Sequence, residues 1–322
     1  MANMINEPQH ILMRLNSKSW RQTTISGLAL LLLFVFACKP DSETVVLVEP
    51  GFGENRVSDA WLEALRTRQS KPYLDSLAQV ARPLTGDEHD WFTLIQSRAA
   101  RWNSFRDSLS IPFDGITLND SIFVLTGYLG DDDGFTYQHR TICFDLTAFY
   151  DNYGAATSDE NNSRIDRIFA HEYTHLLHKA WAKENNLTLK NFQDSILWEC
   201  LYEGIGMYRS LSKKWTIQND SLPAATREAL DKVYPVFVER LLQIHQLENP
   251  TAAEKTALNK NLSRGNVDKK WGAFPVAVWL MLESKGDDKN LVRWIDGGPK
   301  SIPDLAKKYL PEEYRKKFQT VF

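Results

Sequence analysis

Residues 169–181 read FAHEYTHLLHKAW, and the reading of the whole chain turns on them. Two histidines, His171 and His175, stand four apart, with Glu172 directly after the first. On a helix, at about 100° per residue, the two imidazoles lie on one face a turn apart and can converge on one tetrahedral ion. Glu172 projects beside that pair. It cannot join them as a ligand, but it can reach a water at the ion, where a general base is needed. Zinc lowers the pKa of such a water to about 7. Ile165, Ile168, Phe169, Leu176 and Leu177 surround the histidines with apolar bulk, so the segment reads as a core helix. His178 falls near the same face, but it sits two turns beyond His171, roughly 10 Å along the axis. It is expected to support a ligand or the packing rather than bind the ion.

A catalytic zinc keeps one position open and takes three protein ligands. The next helical stretch, LWECLYEGIGMY, offers the third. Glu199 and Glu203 are four apart on one face, and Gly204 and Gly206 follow. Glycine inside a helix costs about 1 kcal/mol against alanine, so two within a turn call for a reason. Close approach to the metal helix is the expected one, which would let Glu203 reach the ion. Glu199 is placed around the site, as a hydrogen-bond partner for a ligand histidine.

AHEYTHLLH followed by LYEGIGMY resembles the gluzincin group of metallopeptidases, and within it the predicted zinc-dependent proteases of bacterial lipoproteins. The likeness spans about residues 121–310, and only the metal motif and the glutamate–glycine turn are specific. It implies an α+β, zincin-like core with a small antiparallel sheet or hairpin, helical flanks, a Zn2+ cofactor, and a peptide or protein substrate. It also implies that RTICFDL, ahead of the metal helix, is the edge strand on which an extended peptide pairs. The group uses a Tyr or His to stabilise the oxyanion; Tyr202, Tyr208, Tyr234 and His245 all remain open for that role. Gly206 stands where relatives often carry alanine, and no exopeptidase signature is present. The alternative is a non-catalytic surface lipoprotein that binds a partner in a zincin-like cleft.

The rest of the chain sets the frame. It has 322 residues, 43% hydrophobic and 25% charged, with a net charge of −3. That is globular composition with no electrostatic footprint for nucleic acid. Lys18 and Arg21 precede an apolar run from Leu28 to Ala37 that is too short to span a bilayer. The end of that run, VFAC, resembles a bacterial lipobox. Residues 1–38 are therefore expected to be a lipoprotein signal with Cys38 as the lipidated residue, and 39–56 a tether. That places the protein in the bacterial cell envelope, lipid-anchored to the outer membrane and facing the periplasm or the surface. Cys143 and Cys200 can pair or sit reduced in the core.

The domain proper is expected at 57–322: N-terminal helices over 57–112, a hairpin and the metal helices over 113–212, and C-terminal helices over 213–322. Thr85 and Glu88 make a capping box. SIFVLTGYL and RTICFDLTAFY are rich in β-branched and aromatic residues and read as the two arms of a hairpin over 121–146. The intervening Asp131, Asp132 and Asp133 lack the alternating spacing of an EF-hand and read as a solvated turn. WGAFPVAVWLMLESKG is too short to span a membrane and reads as a buried helix ended by Gly286.

Overall fold

The computed structural model describes residues 45–322; the expected signal segment and Cys38 lie outside them. Strand β1 (Val46–Pro50) precedes α1 (Asp59–Leu65), α2 (Lys71–Ala78) and α3 (Gly86–Ser110). Strands β2 (Ile122–Gly127), β3 (Gly134–Tyr137) and β4 (Thr141–Asp145) lead into α4 (Leu146–Tyr153), α5 (Asp159–Glu184) and α6 (Phe192–Ser210). The last third holds α7 (Ala224–His245), α8 (Ala252–Asn259), α9 (Ala273–Ser284), α10 (Val292–Asp296), α11 (Ser301–Tyr309) and α12 (Glu312–Phe318). The fold is α+β, with one small mixed sheet among many helices.

The sheet corrects three expectations. Its order is β1-β2-β4-β3. The two arms expected to form a hairpin, β2 and β4, instead run parallel, with Leu125 opposite Cys143. The hairpin is β3–β4, and β3 is hidden in the segment expected to be a turn. RTICFDL is therefore an interior strand, and the edge beside the metal helix is β3. Residues 46–50, within the stretch expected to be a tether, form β1 and pair parallel with β2.

Helix ends follow local chemistry. Thr85 and Glu88 form the capping box at the start of α3. Asn191 caps α6 by accepting from the Asp194 amide, and Asp145 caps α4 by accepting from the amides of Thr147 and Ala148. Helix α3 packs on α5 through Trp102 stacked on Phe169, ring centroids 4.4 Å apart. Asp166 of α5 fixes the pair, accepting from the Trp102 indole at 2.9 Å and from Arg98. Helix α9, from the apolar run, is buried along almost its whole length. Its chain turns left-handed at Lys285 and Gly286, as expected of a glycine C-cap. No helix among the described residues is long and apolar enough to cross a membrane.

Helix α6 runs between α5 and α9, and its two glycines explain how. Positions 204 and 206 are about 200° apart around a helix, so they face nearly opposite sides. A Cβ on Gly206 would stand 2.9 Å from His175 Cε1 and 3.1 Å from His171 Nε2, on the α5 side. A Cβ on Gly204 would stand 2.4 Å from Val276 of α9. Only Gly206 therefore has the expected role of admitting the metal helix; Gly204 admits the helix behind.

Candidate metal centre

Glu199, Glu203, Gly206 and Ser210 form one stripe of α6, at helical spacings of four, three and four. From the facing helix, α5, His171 and His175 project one turn apart. One donor atom from each of His171, His175 and Glu203 lies within 4.8 Å of the others. The Nε2 atoms of the two histidines are 2.9 Å apart, and each is 3.8 Å from Glu203 Oε2. Tetrahedral zinc with bonds near 2.0–2.1 Å sets its ligand atoms about 3.3 Å apart. The observed separations bracket that value, so the three side chains fit such an ion.

Ser210 adds a tautomer argument. Its hydroxyl donates to the Met207 carbonyl at 3.1 Å and lies 3.4 Å from His171 Nδ1. A hydroxyl has one proton, so toward His171 it accepts. The His171 proton is then on Nδ1, and the Nε2 lone pair faces His175. At that distance the lone pair can accept a proton from His175 Nε2 or, with both lone pairs turned inward, share a cation with it.

The local electrostatics agree. Burial, with Lys270 nearby, pushes the His171 imidazole down to about 3. Burial and the neighbouring His171 hold His175 well below its usual value. Both rings are thus neutral, as metal ligands must be. Burial and then Glu199 push Glu203 up to about 7, against Lys270, Arg264 and Ser263. Burial, Glu203 and Asp133 drive Glu172 well above the usual carboxylate range. A divalent cation beside them would offset these shifts and favour the ionised carboxylates.

Glu172 stays outside the ligand set, with Oε1 4.0 Å from His171 Nε2. Strand β3 runs beside it: a Cβ on Gly134 would stand 3.5 Å from the Glu172 side chain. Of the four oxyanion candidates, only Tyr202 lies at the site. Its ring stacks on His175 with centroids 4.0 Å apart, and its hydroxyl sits by Thr136 of β3. Tyr208 bonds Asp288 at 2.8 Å, Tyr234 accepts from Trp279 at 3.4 Å, and His245 meets Gln193 at 2.9 Å, each in its own surroundings.

Of the two supporting residues, Glu199 departs from its expected role and His178 keeps the packing one. Glu199 makes no hydrogen bond to a ligand histidine; its nearest opposite charge is Lys179. His178 is fully buried in an aromatic box of Phe113, Trp181, Trp198 and Tyr202, where it serves packing. The acidic turn is not freely solvated: Asp132 pairs with Arg68 and with Arg264 at 3.3 Å, and Asp133 accepts from Tyr153. Cys143 and Cys200 are both buried and unbonded.

Sequence reading passed over Ser210, Ser263 and Lys270. Ser210 was signalled by its spacing, seven after Glu203. Ser263 and Lys270 carry no local signal, because a loop some sixty residues further along brings them to the site. No protein-family model, curated protein or solved structure matches the chain.

Proposed function

We propose that the chain is a gluzincin-like zinc peptidase with a zincin-like core made of the sheet, α5 and α6. One observation carries the reading: His171, His175 and Glu203 bring three donors together, while Glu172 stands beside them without joining. Those three residues hold the ion. Bound there, zinc polarises a substrate carbonyl and acidifies water. Glu172 takes the proton from the attacking water and passes it to the leaving amine; its buried setting raises its affinity for that proton, and the positive charge of a bound cation would keep it ionised beforehand. Tyr202, kept protonated by burial and by Glu172 and Glu203, is assigned as the donor to a carbonyl oxygen that gains charge.

The substrate is an extended peptide. Strand β3 ends the sheet, so its outer backbone groups have no strand partner among the described residues, and it runs alongside Glu172. Peptide addition to that edge brings a scissile bond to the metal. In the same reading Cys38 carries the lipid that ties the protein to the outer membrane.

The test is zinc content and casein cleavage by the purified chain and by Glu172→Gln. About one zinc per chain in both, with cleavage only in the unaltered chain, is expected. A chain that binds no zinc overturns the proposal. Zinc without cleavage in either form replaces the peptidase with a partner-binding cleft, and equal cleavage by Glu172→Gln removes the base.

A further inference from the structure

A groove of about 190 Å3 lies between α7 and the loop that joins α8 to α9. One wall is a single face of α7, where Lys232, Val236 and Arg240 recur every four residues. The other wall carries Lys260, Asp268 and Lys269, with Trp271 at its base. Four cations and one carboxylate thus line one small space, in a chain whose net charge is −3. Asp268 is used up by Lys232, at 3.0 Å. Arg240, Lys260 and Lys269 have no carboxylate within 4.0 Å among the described residues.

The loop wall is built, not draped. The Trp271 indole donates to the Lys260 carbonyl at 3.0 Å. The backbone amides of Trp271 and Gly272 bond the carbonyls of Asn261 and Leu262 at 3.2 and 3.1 Å. A Cβ on Gly272 would fall 2.6 Å from Leu262 and 2.9 Å from Cys200, so the loop is pressed onto α6. The backbones that carry the cations are therefore fixed before any ligand arrives, while the Lys260 and Lys269 side chains themselves are exposed.

We propose that this groove binds a phosphate ester. The phosphate meets the forked guanidinium of Arg240 and the ammonium groups of Lys260 and Lys269. The apolar part of the ester lies on Val236, which is 37% exposed and is backed by the buried Val233 and Trp271. Three unpaired cations suit the several oxygens and up to two charges of phosphate better than a single carboxylate. The ester is either a small soluble molecule or a phospholipid headgroup. The groove shares no residue with the metal centre, so the inference stands apart from the peptidase reading.

The experiment uses the full chain and its Arg240→Gln/Lys260→Gln/Lys269→Gln variant, with the fold checked by circular dichroism and thermal melting. Calorimetry reads phenyl phosphate binding; co-sedimentation reads phosphatidic acid vesicles against phosphatidylcholine vesicles. Loss of three charge-assisted contacts weakens binding by at least about tenfold. A tenfold loss seen with phenyl phosphate identifies a soluble ester, and one seen only with the anionic vesicles identifies a headgroup. Binding to neither probe, or equal binding by the folded variant, overturns the proposal.

Discussion

At the scale of single residues, the α6 stripe carries the most exposed claims. Gly206 leaves room for two imidazoles, and a methyl group there would press on both rings at 3.1 Å or less. Gly206→Ala is therefore expected to displace the histidines and weaken zinc binding by about 10–100-fold, the range for disturbing the setting of a metal ligand. Competition against a chromophoric chelator reads this directly; an unchanged affinity would mean that the rings do not need that space. Tyr202→Phe keeps the stack on His175 and removes only the hydroxyl. Losing one such donor lowers kcat by about 10²-fold or more with little change in KM. A fall in KM affinity with kcat intact would make Tyr202 a binding residue instead. His171, Glu172, His175 and Glu203 were legible because their spacing on two helices encodes one face each. The failure of Glu199 to reach a histidine was not, since a shared face fixes direction and leaves reach undetermined.

At the scale of elements, the glycine pair makes α6 a spacer set between two helices. Gly204→Ala puts a methyl group against Val276 of α9, and overpacking of that kind costs about 1–3 kcal/mol. In a denaturant series Val276→Ala should restore part of the loss, giving a coupling of about 1 kcal/mol between the two positions. Additive effects would show that α6 and α9 do not meet there. Thr85→Ala removes the α3 capping box and is expected to cost about 1 kcal/mol in the same assay. The long helices and their caps could be read from the sequence because periodicity and capping are local. Strand pairing could not: β2 and β4 announce themselves by β-branched residues, but nothing in that signal says which strand lies next to which. Four residues of β3, GFTY, carry too little alternation to stand out beside three aspartates. The hairpin was therefore assigned to the wrong pair, and the peptide edge to an interior strand.

At the scale of the whole molecule, two buried carboxylates tie together distant parts of the chain and set its response to acid. Glu88 on α3 meets Arg82 and the Thr147 hydroxyl of α4. Burial pushes its carboxyl up, but those bonds and the Thr85 amide outweigh it and hold the value at about 2. Glu283 on α9 does the same for the C-terminal helices. It accepts from Arg293 of α10 at 2.6 Å and from Lys308 and Tyr309 of α11. Burial again opposes, and the three partners bring it to about 2 from an ordinary 4.5. A fall of that size corresponds to about 3 kcal/mol. Because Arg293 and Lys308 are half-exposed or more, solvent screening reduces this to about 2 kcal/mol. The sign follows from linkage: the folded value lies below the unfolded one, so the stabilisation is complete above about pH 4.5 and fades as pH falls toward 2. Glu283→Gln should thus be less stable than the unaltered chain by about 2 kcal/mol at pH 7, read from urea midpoints. The gap should shrink below pH 4.5 and close only below about pH 2, where both forms carry a neutral side chain. A gap that stays constant across that range would assign the role of Glu283 to shape and hydrogen bonding, since protonation would then change nothing that Gln had not already changed.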